Sequence, residues 1–345
     1  MPTPRPATEP AAFPDYMDYM PPRRRCRCAA AWALALCCAL ALLGPAPLIG
    51  RAHAAQTYLA LGDSFAFGIT TYADALATGP TLADQGYVRP FANFLATQNN
   101  GVRPNVLNLS VPGETTASFF TGGSVFTSLN LNYAPTFTST QAQQVSARIA
   151  AERAAGNTIN NVSLQLGGND LLDVALNPAF AALPPASQIA QINALLPTVQ
   201  ANYVSALGLI RAQAPEARIF LVGYFDPFPG LGAANPYPLT SPLLVQSLNG
   251  VIAGVAAASG ATFVDVYPDF VGREAQLTNI TGPLNPLNPQ SPPNYHPNAA
   301  GYQVIANRLV VAATIPEPGS LLLLAGAGLP ALHLGVRRWR TRSGA

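Results

Sequence analysis

The run Thr57-Tyr58-Leu59-Ala60-Leu61-Gly62-Asp63-Ser64 decides how this chain is read. Five largely apolar residues in a row suit a short strand buried on both faces, and the Gly-Asp that follows breaks the run into a tight turn. A serine held on such a turn, at the end of a buried strand, stands where a nucleophile is displayed.

Four further runs have the same character: Val106–Leu109, Val162–Leu166, Arg218–Val222 and Thr262–Val266. Between them lie stretches with helical spacing or strong helix formers, Tyr87–Gln98, Thr140–Ala155, Ser187–Gln213, Pro242–Ala258 and Asn298–Ala313, several opened by Pro, Ser, Thr or Asn. Strand and helix alternate, which predicts an α/β architecture of three layers, a five-stranded parallel sheet with helices on both faces. Ligands in such sheets sit at the carboxyl ends of the strands. Three segments fit neither pattern, 117–138, 224–242 and 277–293, and loops of that length are expected to rim the site.

Composition narrows the class. Charged residues make up 10% of the 345 and apolar residues 49%, enough to bury a sizeable core and too little charge for a disordered chain. There is no lysine, and residues 55–314 hold eight arginines against twelve acids, so this body is mildly acidic. Its arginines are scattered rather than clustered, and nucleic acid is not an expected partner. All four cysteines, Cys26, Cys28, Cys37 and Cys38, precede this body. With one histidine and no cysteine the body cannot build a transition-metal shell, and neither metal nor cofactor is implied.

That one histidine, His296, stands in Asn294-Tyr295-His296-Pro297-Asn298, just ahead of the last helical stretch. Any imidazole base in the body must be this residue. Two further blocks follow strands two and three: Asn108-Leu109-Ser110-Val111-Pro112-Gly113-Glu114-Thr115 and Gly167-Gly168-Asn169-Asp170. A lone Gly-Asp-Ser says little; four blocks in this order, spread from Tyr58 to Ala313, say much. The set resembles the SGNH, or GDSL, family of serine esterases and lipases, which implies a flavodoxin-like hydrolase fold and an acyl-ester substrate. The resemblance makes Ser64 the nucleophile, His296 the base, and Gly113 and Asn169 donors to an oxyanion. Taken singly, each has a plain alternative: a surface or capping histidine, a turn glycine, a turn or cap asparagine. Asp63 is read as shaping the turn, and Asp170 as the N-cap of a helical run Leu171–Leu176.

One position departs from the family. The aspartate usual three residues before the histidine is here Pro293, with Asn294 one place off and uncharged. The Pro293 carbonyl is the candidate acceptor for the imidazole, with Asp265, Asp269 and Glu274 behind it, and the expected machine is a Ser64–His296 dyad slower than a full triad.

The two ends read as addresses. Arg23-Arg24-Arg25 and Arg27, an apolar run Ala29–Leu43 and the small-residue site Ala52-His53-Ala54 form a secretory signal over residues 1–54, with a start that is better placed at Met17 or Met20. A membrane anchor is the alternative, but about 15 apolar residues is short for a span. Residues 315–345 carry Pro316-Glu317-Pro318, an apolar run Leu321–Val336 and Arg337-Arg338-Trp339-Arg340-Thr341-Arg342. This resembles a PEP-CTERM sorting tail, which implies export machinery and an exosortase-type enzyme as partners, transient insertion in the inner membrane, and a body at the cell surface or outside the cell. A plain C-terminal anchor is the alternative.

Two functional classes follow. The first is an exported esterase acting on lipid, phospholipid or acetylated glycan, with Phe119, Phe120, Phe126, Phe225 and Phe228 suited to an acyl chain and each equally readable as core. The second is a surface or matrix protein that keeps the fold, has lost turnover with the missing aspartate, and binds glycan or lipid. A peptidase is a distant third.

Overall fold

The computed structural model describes residues 54–70, 84–123, 139–282 and 293–315, all within the compact unit Ala54–Ala345. Residues 1–53 of the signal read at 1–54 and residues 316–345 of the tail read at 315–345 lie outside them.

The elements run β1 (Gln56–Gly62), α1 (Ser64–Phe67), α2 (Val88–Gln98), β2 (Asn105–Asn108), α3 (Ser118–Thr121), α4 (Gln141–Ala154) and β3 (Thr158–Gln165). They continue with α5 (Gly168–Ala175), α6 (Pro178–Ala181), α7 (Pro185–Gln213), β4 (Arg218–Val222), α8 (Ser241–Ser259), β5 (Thr262–Val264), α9 (Tyr267–Phe270), α10 (Glu274–Leu277) and α11 (Ala299–Thr314). The strands form one sheet in the order β2-β1-β3-β4-β5, every pair parallel, as the alternation of runs predicts.

Alternate residues of each strand feed opposite faces, which is why the runs are apolar throughout. Leu59, Leu61, Val162, Leu164, Ile219 and Leu221 join one core with Val145, Ile149, Val199, Ile210, Leu248 and Ile252 from α4, α7 and α8. Tyr58, Ala60, Phe220, Val222 and Val264 join the other with Phe91 of α2 and Ile305 and Leu309 of α11. A polar pair closes the seam, Tyr58 Oη to Ser163 Oγ at 2.7 Å. Among the described residues α8 alone is long and apolar enough to cross a membrane. Here it is a core helix, packed on α7, β4 and β5.

Two strand ends differ from their apolar runs by more than one residue. β3 starts at Thr158, where Thr158, Ile159 and Asn161 pair with Gln56, Thr57 and Tyr58 of β1 and the register shifts past Asn160. β5 stops at Val264 because the Asp265 carboxylate takes the Tyr267 N–H at 3.0 Å and turns the chain.

Candidate active site

The turn that carries Ser64 is held by what surrounds Gly62. Its φ of 136° is a glycine conformation, and a Cβ there would sit on the Gln165 carbonyl oxygen at the end of β3. The next amide, Asp63 N–H, donates to that same oxygen at 3.1 Å. Asp63 then caps the one-turn helix α1, its carboxylate accepting the Phe65 N–H at 2.9 Å and the Tyr224 hydroxyl at 2.6 Å. Ser64 is the first residue of α1, 9% exposed, at the carboxyl end of a central strand.

The second and third blocks meet each other. Gly113, exposed, takes φ 75° in the turn after β2. Asn169, in the first turn of α5, donates its Nδ2–H to the carbonyl of Glu114 at 2.9 Å, which fixes the amide beside Gly113. Asp170 ties the same two blocks, accepting the Thr116 N–H at 2.8 Å and the Thr116 hydroxyl at 2.7 Å. It does not cap the helix as expected: α5 begins at Gly168 with Gly167 as N-cap, and Asp170 lies within its first turn. Tyr224 links these blocks to the Ser64 turn, since its hydroxyl is on Asp63 and its ring lies so close over Gly168 that a Cβ there would clash.

His296 comes from the far end of the chain to the side of this turn. Its ring stands edge-on to Phe65, the neighbour of Ser64, with centroids 5.6 Å apart. The Asn294 side chain holds it: Oδ1 lies 2.7 Å from His296 Nδ1 and 3.1 Å from the His296 backbone N–H. Asn294 Nδ2 donates to the Thr70 carbonyl at 2.9 Å, and so does Asn279 Nδ2 at 2.7 Å, which pins the histidine loop to the segment after α1. With its NH₂ turned to Thr70, the amide presents oxygen to the imidazole, and that assigns the proton to Nδ1 and the lone pair to Nε2.

Burial sets the protonation states. Desolvation lowers His296 to about 4, so the ring is neutral at ordinary pH. Desolvation also raises Asp63 to about 7, against the opposing pull of the Tyr224 and Phe65 hydrogen bonds. Glu114 and Asp170 are raised by the same cause, each countered by the bonds it accepts.

The turn that carries Ser64, an asparagine amide beside a glycine turn and a neutral imidazole thus gather at the carboxyl end of a parallel sheet. The model of the GDSL-like lipase/acylhydrolase family matches residues 60–304, which span all four blocks. The chain belongs to this family. It is therefore an ester hydrolase of the GDSL type. Among solved structures, an extracellular lipase from Streptomyces rimosus is 20% identical over 76% of this chain and 100% of its own, with a TM-score of 0.51. Phospholipase A1 from Streptomyces albidoflavus NA297 is 20% identical over 76% and 100%, with a TM-score of 0.49. A catalytic mutant of an acetylxylan esterase from Geobacillus stearothermophilus is 15% identical over 76% and 96%, with a TM-score of 0.46. A search of curated proteins returned no match.

In this GDSL hydrolase one further reading from sequence needs correction. The acceptor on His296 Nδ1 is Asn294 Oδ1 rather than the Pro293 carbonyl: a side chain two residues before the histidine folds back on it, which counting three positions upstream overlooks. The other candidates are engaged elsewhere. Asp269 pairs with Arg308, Asp265 accepts from Tyr267 N and Glu274 from Gly272 N. Of the aromatic residues offered for an acyl chain, Phe119, Phe225 and Phe228 are core, at 0%, 2% and 6% exposure, Phe120 is half-buried and Phe126 lies outside the described residues. Tyr224 and Gln141, buried beside the candidate residues, carried no motif, and Glu114, buried with them, stood in the second block with no role assigned.

Proposed function

We propose that this GDSL hydrolase is an exported serine esterase working through a Ser64–His296 dyad with Gly113 and Asn169 in the oxyanion hole. The observation that carries the reading is the Asn294–His296 contact beside the Ser64 turn. It supplies what the missing aspartate would supply in geometry, an acceptor on Nδ1 that leaves the Nε2 lone pair as base. Ser64 Oγ attacks the ester carbonyl while Nε2 takes its proton, and the alkoxide oxygen of the tetrahedral adduct is met by backbone N–H groups of Ser64 and Gly113 and by the Asn169 amide. An amide NH₂ has two donors. One of Asn169's is used by the Glu114 carbonyl, which leaves the other for the oxyanion. His296 returns the proton to the leaving alcohol, and water, activated by the same nitrogen, releases the acid and frees Ser64.

The substrate class is an acyl ester of lipid, phospholipid or acetylated glycan. Because Asn294 fills the acceptor place, an active enzyme is favoured over a surface protein that has lost turnover. Export follows from the signal at residues 1–54, and release at the cell surface from a PEP-CTERM-type tail at residues 315–345 handled by an exosortase-type partner. The deciding experiment is covalent labelling by a fluorophosphonate, since only an activated serine reacts. The parent is expected to label and to hydrolyse p-nitrophenyl butyrate, and Ser64→Ala to do neither while remaining folded. Hydrolysis by Ser64→Ala within tenfold of the parent would exclude Ser64 as nucleophile. Intact mass of surface-released protein, expected to begin near Ala55 and to lack the residues from Leu321 onward, tests the export reading.

A further inference from the structure

Glu114 is the residue after Gly113, and no role falls to it in the dyad chemistry. It is 2% exposed, a carboxylate buried within 30 residues of chain from the side chain that meets it, Gln141, itself 1% exposed. Gln141 is the first residue of α4, where a capping box between Thr140 and Gln143 fixes the helix start and so the direction in which the Gln141 side chain leaves it. Its amide spans a backbone unit as a neighbouring strand would: Oε1 accepts the Gly62 N–H at 2.8 Å, and Nε2 donates to the Gly62 carbonyl at 3.0 Å. The same Nε2 donates to Glu114 Oε2 at 3.0 Å. Glu114 Oε1 accepts from the Ser118 hydroxyl, and its backbone carbonyl accepts from Asn169 Nδ2 at 2.9 Å.

We propose that Glu114 and Gln141 are positioning residues that clamp the oxyanion hole to the nucleophile turn. Through Gln141 the clamp holds Gly62, two residues before Ser64; through Glu114 it holds the residue next to Gly113 and the amide of Asn169. Three of the four sequence blocks are thereby joined by one pair of buried side chains. A surface carboxylate would do none of this. In a buried site each unmade bond leaves an unsatisfied group and lets the ends of β1 and β2 shift relative to one another. Donors serve an oxyanion only when they are held where charge develops, and a misplacement of about 1 Å costs roughly a hundredfold in rate.

The inference rests on the reading of Ser64, Gly113 and Asn169 given above, and the test separates the two. On the full chain, kcat and KM for p-nitrophenyl butyrate are measured for Ser64→Ala, Glu114→Ala, Glu114→Gln, Gln141→Met and Gln141→Glu, with circular dichroism to confirm folding. Glu114→Ala and Gln141→Met are expected to lower kcat by roughly tenfold to a hundredfold with KM within about threefold, because the substrate pocket is untouched while the transition state loses alignment. Glu114→Gln is expected to stay within about threefold of the parent: its amide offers oxygen to Gln141 and NH₂ to the Ser118 oxygen, so the clamp is rebuilt. Gln141→Glu sets two buried carboxyls face to face, which can bond only when they share a proton. Its kcat relative to the parent is expected to be at least tenfold higher at pH 6 than at pH 9, the ratio removing the titration of Asp63, whose charge interacts with Glu114. If the alanine or methionine variant fails to fold, the Gln141→Glu profile decides alone. A flat ratio across pH, or kcat within threefold in a folded Glu114→Ala or Gln141→Met, would overturn the clamp. Retained activity in Ser64→Ala would instead overturn the underlying reading.

Discussion

Asn294 Oδ1 lies 2.7 Å from His296 Nδ1, so an uncharged amide occupies the place where an esterase of this family usually has a carboxylate. The two differ in one respect. Both fix the tautomer, but the amide brings no charge to stabilise the imidazolium that the proposed proton transfer from Ser64 to His296 would form.

The consequence is testable with two substitutions. Asn294→Ala removes the acceptor and the tie to Thr70, and is expected to lower kcat by about a hundredfold or more, short of the ~10⁴ lost with a true triad carboxylate. Asn294→Asp keeps an acceptor and adds charge beside the ring, so it is expected to stay active and to move the acid limb of kcat/KM to higher pH. Equal acid limbs in Asn294→Asp and the parent would show that residue 294 does not face the imidazole in solution.

The parent's own pH profile follows from burial. Desolvation holds His296 near 4, and the base must be neutral to act, so kcat/KM is expected to fall on the acid side with a midpoint near pH 4 rather than at the 6.5 of an exposed histidine. Folding stability is a poorer readout. Between pH 6.5 and 4 the unfolded chain protonates at this histidine while the folded one does not, which costs stability as pH falls. Asp63, raised to about 7, works in the opposite sense over the same window, because the folded state already holds its proton. Initial rates from pH 3.5 to 8, checked for enzyme survival, give the answer. A midpoint above 6 would mean that the imidazole is solvated.

Much of this site was legible because its parts are short and ordered. Gly62-Asp63-Ser64 ends a buried strand, and backbone sterics leave little choice about where Ser64 goes once Gly62 must lie against Gln165. The helices and the parallel sheet likewise follow from the alternation of apolar runs with helical spacing. What the sequence hid was contact between distant polar side chains. Asn294 folds back on His296, Tyr224 crosses from the end of β4 to Asp63, and Gln141 reaches Gly62 across 79 positions. None has periodicity, and a buried glutamine at a helix start looks like any other first-turn residue. The aromatic residues were open between acyl chain and core: Phe119, Phe225 and Phe228 sit in segments that read as loops, and their burial decides for core.

The three acids once open as triad members give a clean negative. Asp265→Ala, Asp269→Ala and Glu274→Ala are each expected to leave kcat within about threefold of the parent, since each carboxylate bonds a local partner away from His296. Losing the Asp269–Arg308 pair, which is partly exposed, is expected to cost no more than about 1 kcal/mol of stability. A thousandfold fall in kcat for any one of them, with the fold intact, would reveal a distant acid completing a triad.

Tyr224→Phe separates packing from charge at the nucleophile turn. The ring over Gly168 is retained and only the hydroxyl on Asp63 Oδ2 is lost, so a buried acceptor loses its donor at a cost of about 1–3 kcal/mol. The size of the loss depends on whether Asp63 is ionised. Below its value of about 7 the carboxyl is largely protonated and needs the donor less; as pH rises through 7 the charge appears in a buried site and the missing bond counts in full. The gap in Tm between parent and Tyr224→Phe is therefore expected to widen from pH 6 to pH 9, and kcat to fall by about tenfold as the turn carrying Ser64 loosens. Thermal unfolding at the two pH values, beside kcat at each, checks both. A gap that is constant or narrows with pH would show that the Tyr224 hydroxyl does not hold the Asp63 carboxylate, and that the turn is fixed by Gly62 and Gln165 without it.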